Sequence, residues 1–131
     1  MDKQFELEFK VRDYELDLQG IVNNAVYQNY LEHARHELLI SAGLNFKQLH
    51  LDGYDAVVIK SEIEYKKPLT SGDEFKVVTS VAKEGRLRLI FYQEIIRMSD
   101  GALILKAKIT TACIFNNRPI EASFIFEKFG L

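Results

Sequence analysis

Cys113 is the only cysteine in the chain, so no disulfide can close within it. Covalent staples are excluded as a source of stability, and a reducing, cytoplasmic setting is expected. Tryptophan is absent, and only 2 prolines and 7 glycines punctuate 131 residues. That composition supplies neither a flexible linker nor a low-complexity segment. No internal repeat is visible, so one domain spanning residues 1–131 is the expectation. No apolar run approaches the roughly 20 residues of a membrane span. The opening Met1-Asp2-Lys3-Gln4-Phe5-Glu6 lacks the apolar stretch of a secretory signal, and no membrane insertion is expected. A net charge of −2 removes any global attraction to nucleic acid, so an anion site would have to be local. What the chain does have is 47% hydrophobic and 27% charged residues, enough for a packed core under a soluble surface.

The apolar pattern divides the chain in two. Phe5, Leu7, Phe9 and Val11 alternate with Glu6, Glu8 and Lys10, which predicts a half-buried strand over residues 4–12. A helix is predicted from about Asn24 to Ser41, on the stripe Tyr27, Tyr30, Leu31, Ala34 and Leu38. Asn23 is its candidate N-cap and Gly43 its stop. A short helix is expected over Phe46 to Leu51. From residue 55 the period becomes two. Val57, Ile59, Ile63 and Tyr65 are expected on one strand face, with Lys60, Glu62, Glu64 and Lys66 opposite. Further strands begin near Phe75, Arg86 and Ala102, with turns at Lys83-Glu84-Gly85 and Ser99-Asp100-Gly101. A last short helix is expected around Phe124 to Phe129. Tight turns imply antiparallel neighbours. One long helix and five strands are most economically arranged as an α+β sheet curled around that helix. Strands apolar on both faces, as around Ile90 to Ile96, suggest that a second subunit covers the outer face.

The stretch richest in chemistry is Asp17-Leu18-Gln19-Gly20-Ile21-Val22-Asn23-Asn24-Ala25-Val26-Tyr27. It places a carboxylate a few residues before a glycine turn that opens into the long helix. The first amides of a helix have no partner within it and carry about half a positive charge. A carboxylate next to them makes a compact acyl-transfer site: one group attacks the carbonyl or activates water, the other stabilises the oxyanion. On spacing alone Asp17 reads first as a loop aspartate closing its own turn.

The pattern Asp17-x-x-Gly20-Ile21-Val22-x-x-x-x-Tyr27, continuing Tyr30-Leu31-Glu32-x-x-Arg35, resembles the hotdog-fold acyl-CoA thioesterases of the 4-hydroxybenzoyl-CoA thioesterase type. Tyr65-Lys66-Lys67-Pro68 followed by Gly72-Asp73 resembles the family's next loop, and the likeness runs over essentially the whole chain. The resemblance implies the hotdog fold, a five-stranded antiparallel sheet wrapped around one long central helix. It implies a homodimer or homotetramer with sites between subunits, an acyl-CoA substrate, and no cofactor. By the same resemblance Asp17 is the catalytic carboxylate, as nucleophile or general base, and the backbone amide at or near Asn24 holds the thioester carbonyl. Gly20, Ile21, Val22 and Tyr27 would line the substrate. Asn24 stands where many members carry histidine, and Ile21 where fatty acyl thioesterases often do, which leaves the substrate class open.

Other candidates carry two readings each. Arg86 and Arg88, expected on one strand face with Lys83 nearby, fit the phosphates of coenzyme A; they also fit a charged strand end facing water. His33 and Glu37 lie one helical turn apart without a third ligand, so no metal site is expected. Glu32 and Glu37 are reserve carboxylates on the helix. Cys113 reads as a buried structural thiol. No Gly-x-Ser-x-Gly elbow is present, which argues against a serine hydrolase. The functional expectation is acyl-CoA thioester hydrolysis. Its alternatives are hydrolysis of acyl groups on acyl carrier protein and non-catalytic acyl-CoA binding.

Overall fold

The computed structural model describes residues 4–131; Met1 to Lys3, part of the segment read above for a signal, lie outside them. The elements run β1 (Phe5–Lys10), α1 (Asn24–Ser41), α2 (Phe46–Leu51), β2 (Tyr54–Tyr65), β3 (Glu74–Glu84), β4 (Arg88–Arg97), β5 (Leu103–Phe115), β6 (Arg118–Ile120) and α3 (Ser123–Lys128). All strand pairings are antiparallel, in the order β1-β3-β4-β5-β2, with β6 on the end of β5. Among the described residues the sheet therefore has six strands rather than the expected five, because the turn at Asn116 and Asn117, both at positive φ, folds Arg118–Ile120 back onto Cys113–Phe115. Asparagine tolerates that left-handed backbone better than most residues.

The long helix forms where its periodicity placed it. Asn23 caps it by accepting from the Ala25 N–H at 2.9 Å. Tyr27, Tyr30, Leu31, Ala34 and Leu39 are buried on one stripe and meet the inward side chains of the strands. Phe75 is completely buried; its ring stacks on Phe9 at 5.1 Å and packs against Tyr30 at 4.7 Å. Thr79, Gln93 and Thr111 are buried polar residues on that face, and Gln93 ties it to the helix. Its amide donates to the Leu31 carbonyl at 3.0 Å and the Thr79 hydroxyl at 3.1 Å, so helix and sheet are joined by hydrogen bonds as well as by apolar contact. Among the described residues no helix is long and apolar enough to cross a membrane.

β2 departs from its predicted alternation. Its register against β5 shifts between Val58 and Lys60, so Ile59 is an extra residue. A bulge of this kind exchanges the two faces of a strand. Val57 opposite Ala112 and Ile63 opposite Ala107 consequently face different sides, not the same one. β2 is also an edge, and Val57, Val58, Ile59 and Tyr65 on it are exposed.

Truncating Phe75 to alanine is expected to cost about 3–5 kcal/mol, because the void lies between β1, β3 and α1 with no mobile side chain to fill it. A urea denaturation midpoint compared with wild type measures it.

Candidate active site

One end of the sheet collects the end of β1, the start of β3, the end of β4 and the start of β5. The loop carrying Asp17 is fastened there. The Val22 N–H donates to the Leu69 carbonyl at 2.9 Å, Ile21 bridges Thr70, and the Asn23 N–H donates to the Glu15 carbonyl at 3.0 Å. The Tyr27 hydroxyl, one turn into α1, accepts from the Leu69 N–H at 2.9 Å. Both backbone groups of the fully buried Leu69 are thus bound, one to the loop and one to the helix.

Within the loop the chain doubles back. The Asp17 N–H donates to the Ile21 carbonyl at 2.8 Å, and the Gly20 N–H to the Asp17 carbonyl at 3.1 Å. Gly20 sits at φ +79°, and a Cβ there would meet nothing within 4 Å. Glycine is needed for the conformation of the turn, not for close approach of another part of this chain. Asp17 Oδ1 accepts from the Gln19 N–H at 2.8 Å and lies 3.4 Å from the Ile21 nitrogen. The turn-closing role is real, and it engages one carboxylate oxygen. No bond to Oδ2 occurs among the described residues.

At the helix entrance, Ala25 donates to the cap side chain and Val26 to the Asn23 carbonyl. The Asn24 N–H donates to nothing among the described residues. The first turn of α1 carries no acidic side chain, so the positive end of the helix is uncompensated. A half-buried carboxylate and a free helical amide therefore share one end of the molecule.

Other predicted positions fall elsewhere. Val22 and Tyr27 are 2% and 3% exposed, and the Tyr27 hydroxyl is occupied by Leu69. They belong to the frame of the site rather than to a free wall. Arg86 lies in the turn before β4 and does not share a strand face with Arg88. Arg88 Nη1 faces Glu84 Oε1 at 3.6 Å, and Lys83 Nζ turns to Glu121 at 3.8 Å and to the Phe126 ring. The expected basic cluster does not form. Both arginines sit at the far end of β3 and β4 from Asp17, eleven residues of β3 away, or about 30 Å at strand spacing. Within one copy the structure does not bring them to Asp17.

Besides Leu69, two residues that frame the site, Glu15 and Arg97, gave no signal by spacing. Glu15 Oε1 accepts from both the Arg12 N–H and the Tyr30 hydroxyl, each at 2.8 Å. Burial and this bond to Glu15 push the Tyr30 phenol far above its ordinary pKa, keeping it a neutral donor. Arg97 holds Asp100 through two bonds at 3.0 and 2.9 Å, lies 3.8 Å from Asp73, and reaches the Pro68 carbonyl at 3.4 Å. The guanidinium, helped by the Ala102 N–H, brings the Asp100 carboxyl down to about 2. Asp73 in turn accepts from the Thr70 N–H at 2.9 Å. The loop over residues 68–73 is thereby fixed before the Asp17 loop is laid on it. The Arg12–Glu15, Thr70–Asp73 and Arg97–Asp100 contacts are local, but those of Tyr30 with Glu15 and of Arg97 with Asp73 and Pro68 join distant parts of the chain, and no local pattern encodes them.

The chain has the hotdog thioesterase fold, a curled antiparallel sheet packed with helices. A 4-hydroxybenzoyl CoA thioesterase mutant complexed with 4-hydroxybenzoyl CoA shares that fold at 17% identity, with a TM-score of 0.89 over 97% of this chain and 99% of its own. Residues 11–123 match the model of the thioesterase-like superfamily, and the chain belongs to that family. It is 40% identical, over 95% of its length, to the acyl-acyl carrier protein thioesterase ATL2, chloroplastic, of Arabidopsis thaliana. It is 29% identical, over 83% of its length, to the long-chain acyl-CoA thioesterase FadM of Escherichia coli, of which it covers 82%. The chain spans 68% of the length of ATL2 and 64% of the similar ATL3.

Replacing Tyr27 by phenylalanine removes the acceptor for the buried Leu69 N–H. The expected loss is about 1–3 kcal/mol, together with faster hydrogen exchange at the Leu69 and Val22 amides, measured by NMR.

Proposed function

We propose that this chain hydrolyses acyl thioesters, with Asp17 as the catalytic carboxylate and the Asn24 amide as the oxyanion donor. The observation that carries the reading is the pairing of an unengaged Asp17 Oδ2 with an undonated Asn24 N–H at the same end of the fold. The carbonyl oxygen of the thioester would take the Asn24 N–H. Asp17 would then deprotonate a water attacking the carbonyl carbon, or attack that carbon itself. In the first route the tetrahedral adduct collapses with cleavage of the C–S bond, and the thiol leaves with the proton taken from water. In the second, collapse expels the thiolate and leaves an acyl anhydride on Asp17, which water then cleaves to the free acid and the carboxylate, its second proton going to the thiolate. The backbone of Gly20 and Ile21 would border the acyl group. Val22 and Tyr27 act by holding the loop and the helix entrance on Leu69.

The carrier is coenzyme A in this reading. The 40% identity to a plant acyl carrier protein thioesterase favours acyl carrier protein as the second reading. A lone thiol suits a cytoplasmic site of action. Two copies are needed to bring the arginines to the carboxylate. Antiparallel pairing of exposed β2 edges about a two-fold axis would set the Tyr54 end of one copy beside the Tyr65 end of the other. Arg86 and Arg88 of one copy would then lie toward the Asp17 loop of its partner and meet the anionic carrier there. Two such dimers could pair through the outer sheet face as a tetramer.

Asp17→Asn keeps an Oδ1 that accepts the Gln19 N–H, so it removes charge and basicity while preserving the turn. Thiol release from an acyl-CoA panel is expected to fall about 10²- to 10⁴-fold with an unchanged melting temperature. Near wild-type turnover would sink the assignment. Val58→Lys on the β2 edge is expected to give a monomer by light scattering and to lower thiol release at least tenfold; an active monomer would refute the two-copy site.

A further inference from the structure

A cavity of about 240 Å³ lies at the opposite end of α1 from Asn24, between α1, α2, α3 and the strands. Its walls are Leu39, Leu44, Phe46, Leu89, Phe91 and Phe126, and it opens beside the exposed Val57, Val58 and Leu87. Protein interiors are normally packed with few voids larger than a water molecule. The apolar part of this wall offers dispersion contacts to an apolar occupant that enters from the opening.

One cation stands in this wall. Arg35 is half-buried with its guanidinium over the Phe91 ring. Its hydrogen-bond partner is the neutral Gln93, whose Oε1 accepts from Arg35 Nη1 at 3.0 Å. Gln93 cannot turn away, because its amide is held by Leu31 and Thr79. The two carboxylates that also line the cavity face histidines: Glu32 lies 3.9 Å from His36, and Asp55 lies 2.5 Å from His50. Among the described residues no carboxylate comes within 4.0 Å of Arg35. No buried side-chain nitrogen or oxygen is left unpaired either, so the remaining Arg35 N–H groups border accessible space.

We propose that this cavity binds a medium-chain fatty carboxylate, its head on Arg35 and its tail between Leu39, Leu89 and Phe126. A guanidinium prefers a carboxylate to any neutral acceptor and can bind it through two parallel hydrogen bonds. The volume accommodates about eight methylenes if each takes roughly the 30 Å³ of a water molecule. Only the source of the ligand rests on the proposed hydrolysis: the occupant has the chemistry of the acid released from an acyl thioester. The two-fold pairing described above would place the mouth of this cavity in one copy on the side of its partner's Asp17 loop. Product would then be retained next to the site that makes it.

Calorimetric titration of the full chain with octanoate tests this, with octanol and octylammonium as controls, and is repeated with Asp17→Asn. The expected result is saturable binding of one octanoate per chain in both proteins, with both controls at least tenfold weaker. From butanoate to octanoate each added methylene should tighten binding about fourfold, with a plateau near ten carbons. Arg35→Met should weaken octanoate at least tenfold and leave octanol unchanged. Should that variant not fold, Leu39→Phe should move the plateau to shorter chains. Cys113 lines the same cavity, so octanoate should also slow its alkylation by iodoacetamide. Equal binding of octanoate and octanol, or no protection of Cys113, overturns the proposal. Loss of thiol release in Asp17→Asn with octanoate binding intact is the result expected when both readings hold. Binding without any thiol release in wild type would overturn the hydrolysis and leave the cavity site standing.

Discussion

The two hydrogen bonds to the backbone of Leu69 set the position of everything at the candidate active site. Its carbonyl receives the loop through Val22, and its amide donates to α1 through the Tyr27 hydroxyl. Leu69 is fully buried, so neither bond competes with bulk water, and loss of either would leave a buried polar group unpaired. A loop with a left-handed glycine at its turn has little intrinsic preference for one orientation. The Leu69 anchor supplies that preference. Arg97 secures the anchor by holding Pro68, Asp73 and Asp100 together behind it.

The same arrangement treats the two oxygens of Asp17 differently. Asp17 Oδ1 closes the turn that presents Asp17 itself, and Oδ2 makes no hydrogen bond among the described residues. The turn-closing bond therefore does not compete with the proposed catalytic role, which would use the other oxygen. A carboxylate held through one oxygen is also preorganised, so it need not be reoriented when substrate arrives.

Much of this fold could be read from periodicity. The span of α1, the cap at Asn23, the turn at Ser99-Asp100-Gly101 and the short helices are local features set by residues a few positions apart. The bulge at Ile59 and the return strand Arg118–Ile120 were not legible, because each is decided by pairing with β5. The site divides in the same way. Asp17, Gly20 and the helix entrance are contiguous and could be recognised. Glu15, Arg97 and Leu69 act across the fold, and the backbone amide of Leu69 has no side-chain signature. For Arg86 and Arg88 nearness in sequence suggested a shared strand face, but Arg86 falls in the turn and Arg88 begins β4, and the length of β3 sets both apart from Asp17 within one copy.

The most direct measurement is a crystal structure with a non-hydrolysable acyl thioether of coenzyme A. The account predicts the acyl carbonyl oxygen about 3 Å from the Asn24 nitrogen, with Asp17 Oδ2 facing the carbonyl carbon directly or through one water. A ligand whose carbonyl contacts neither group, in any assembly the crystal contains, would contradict it.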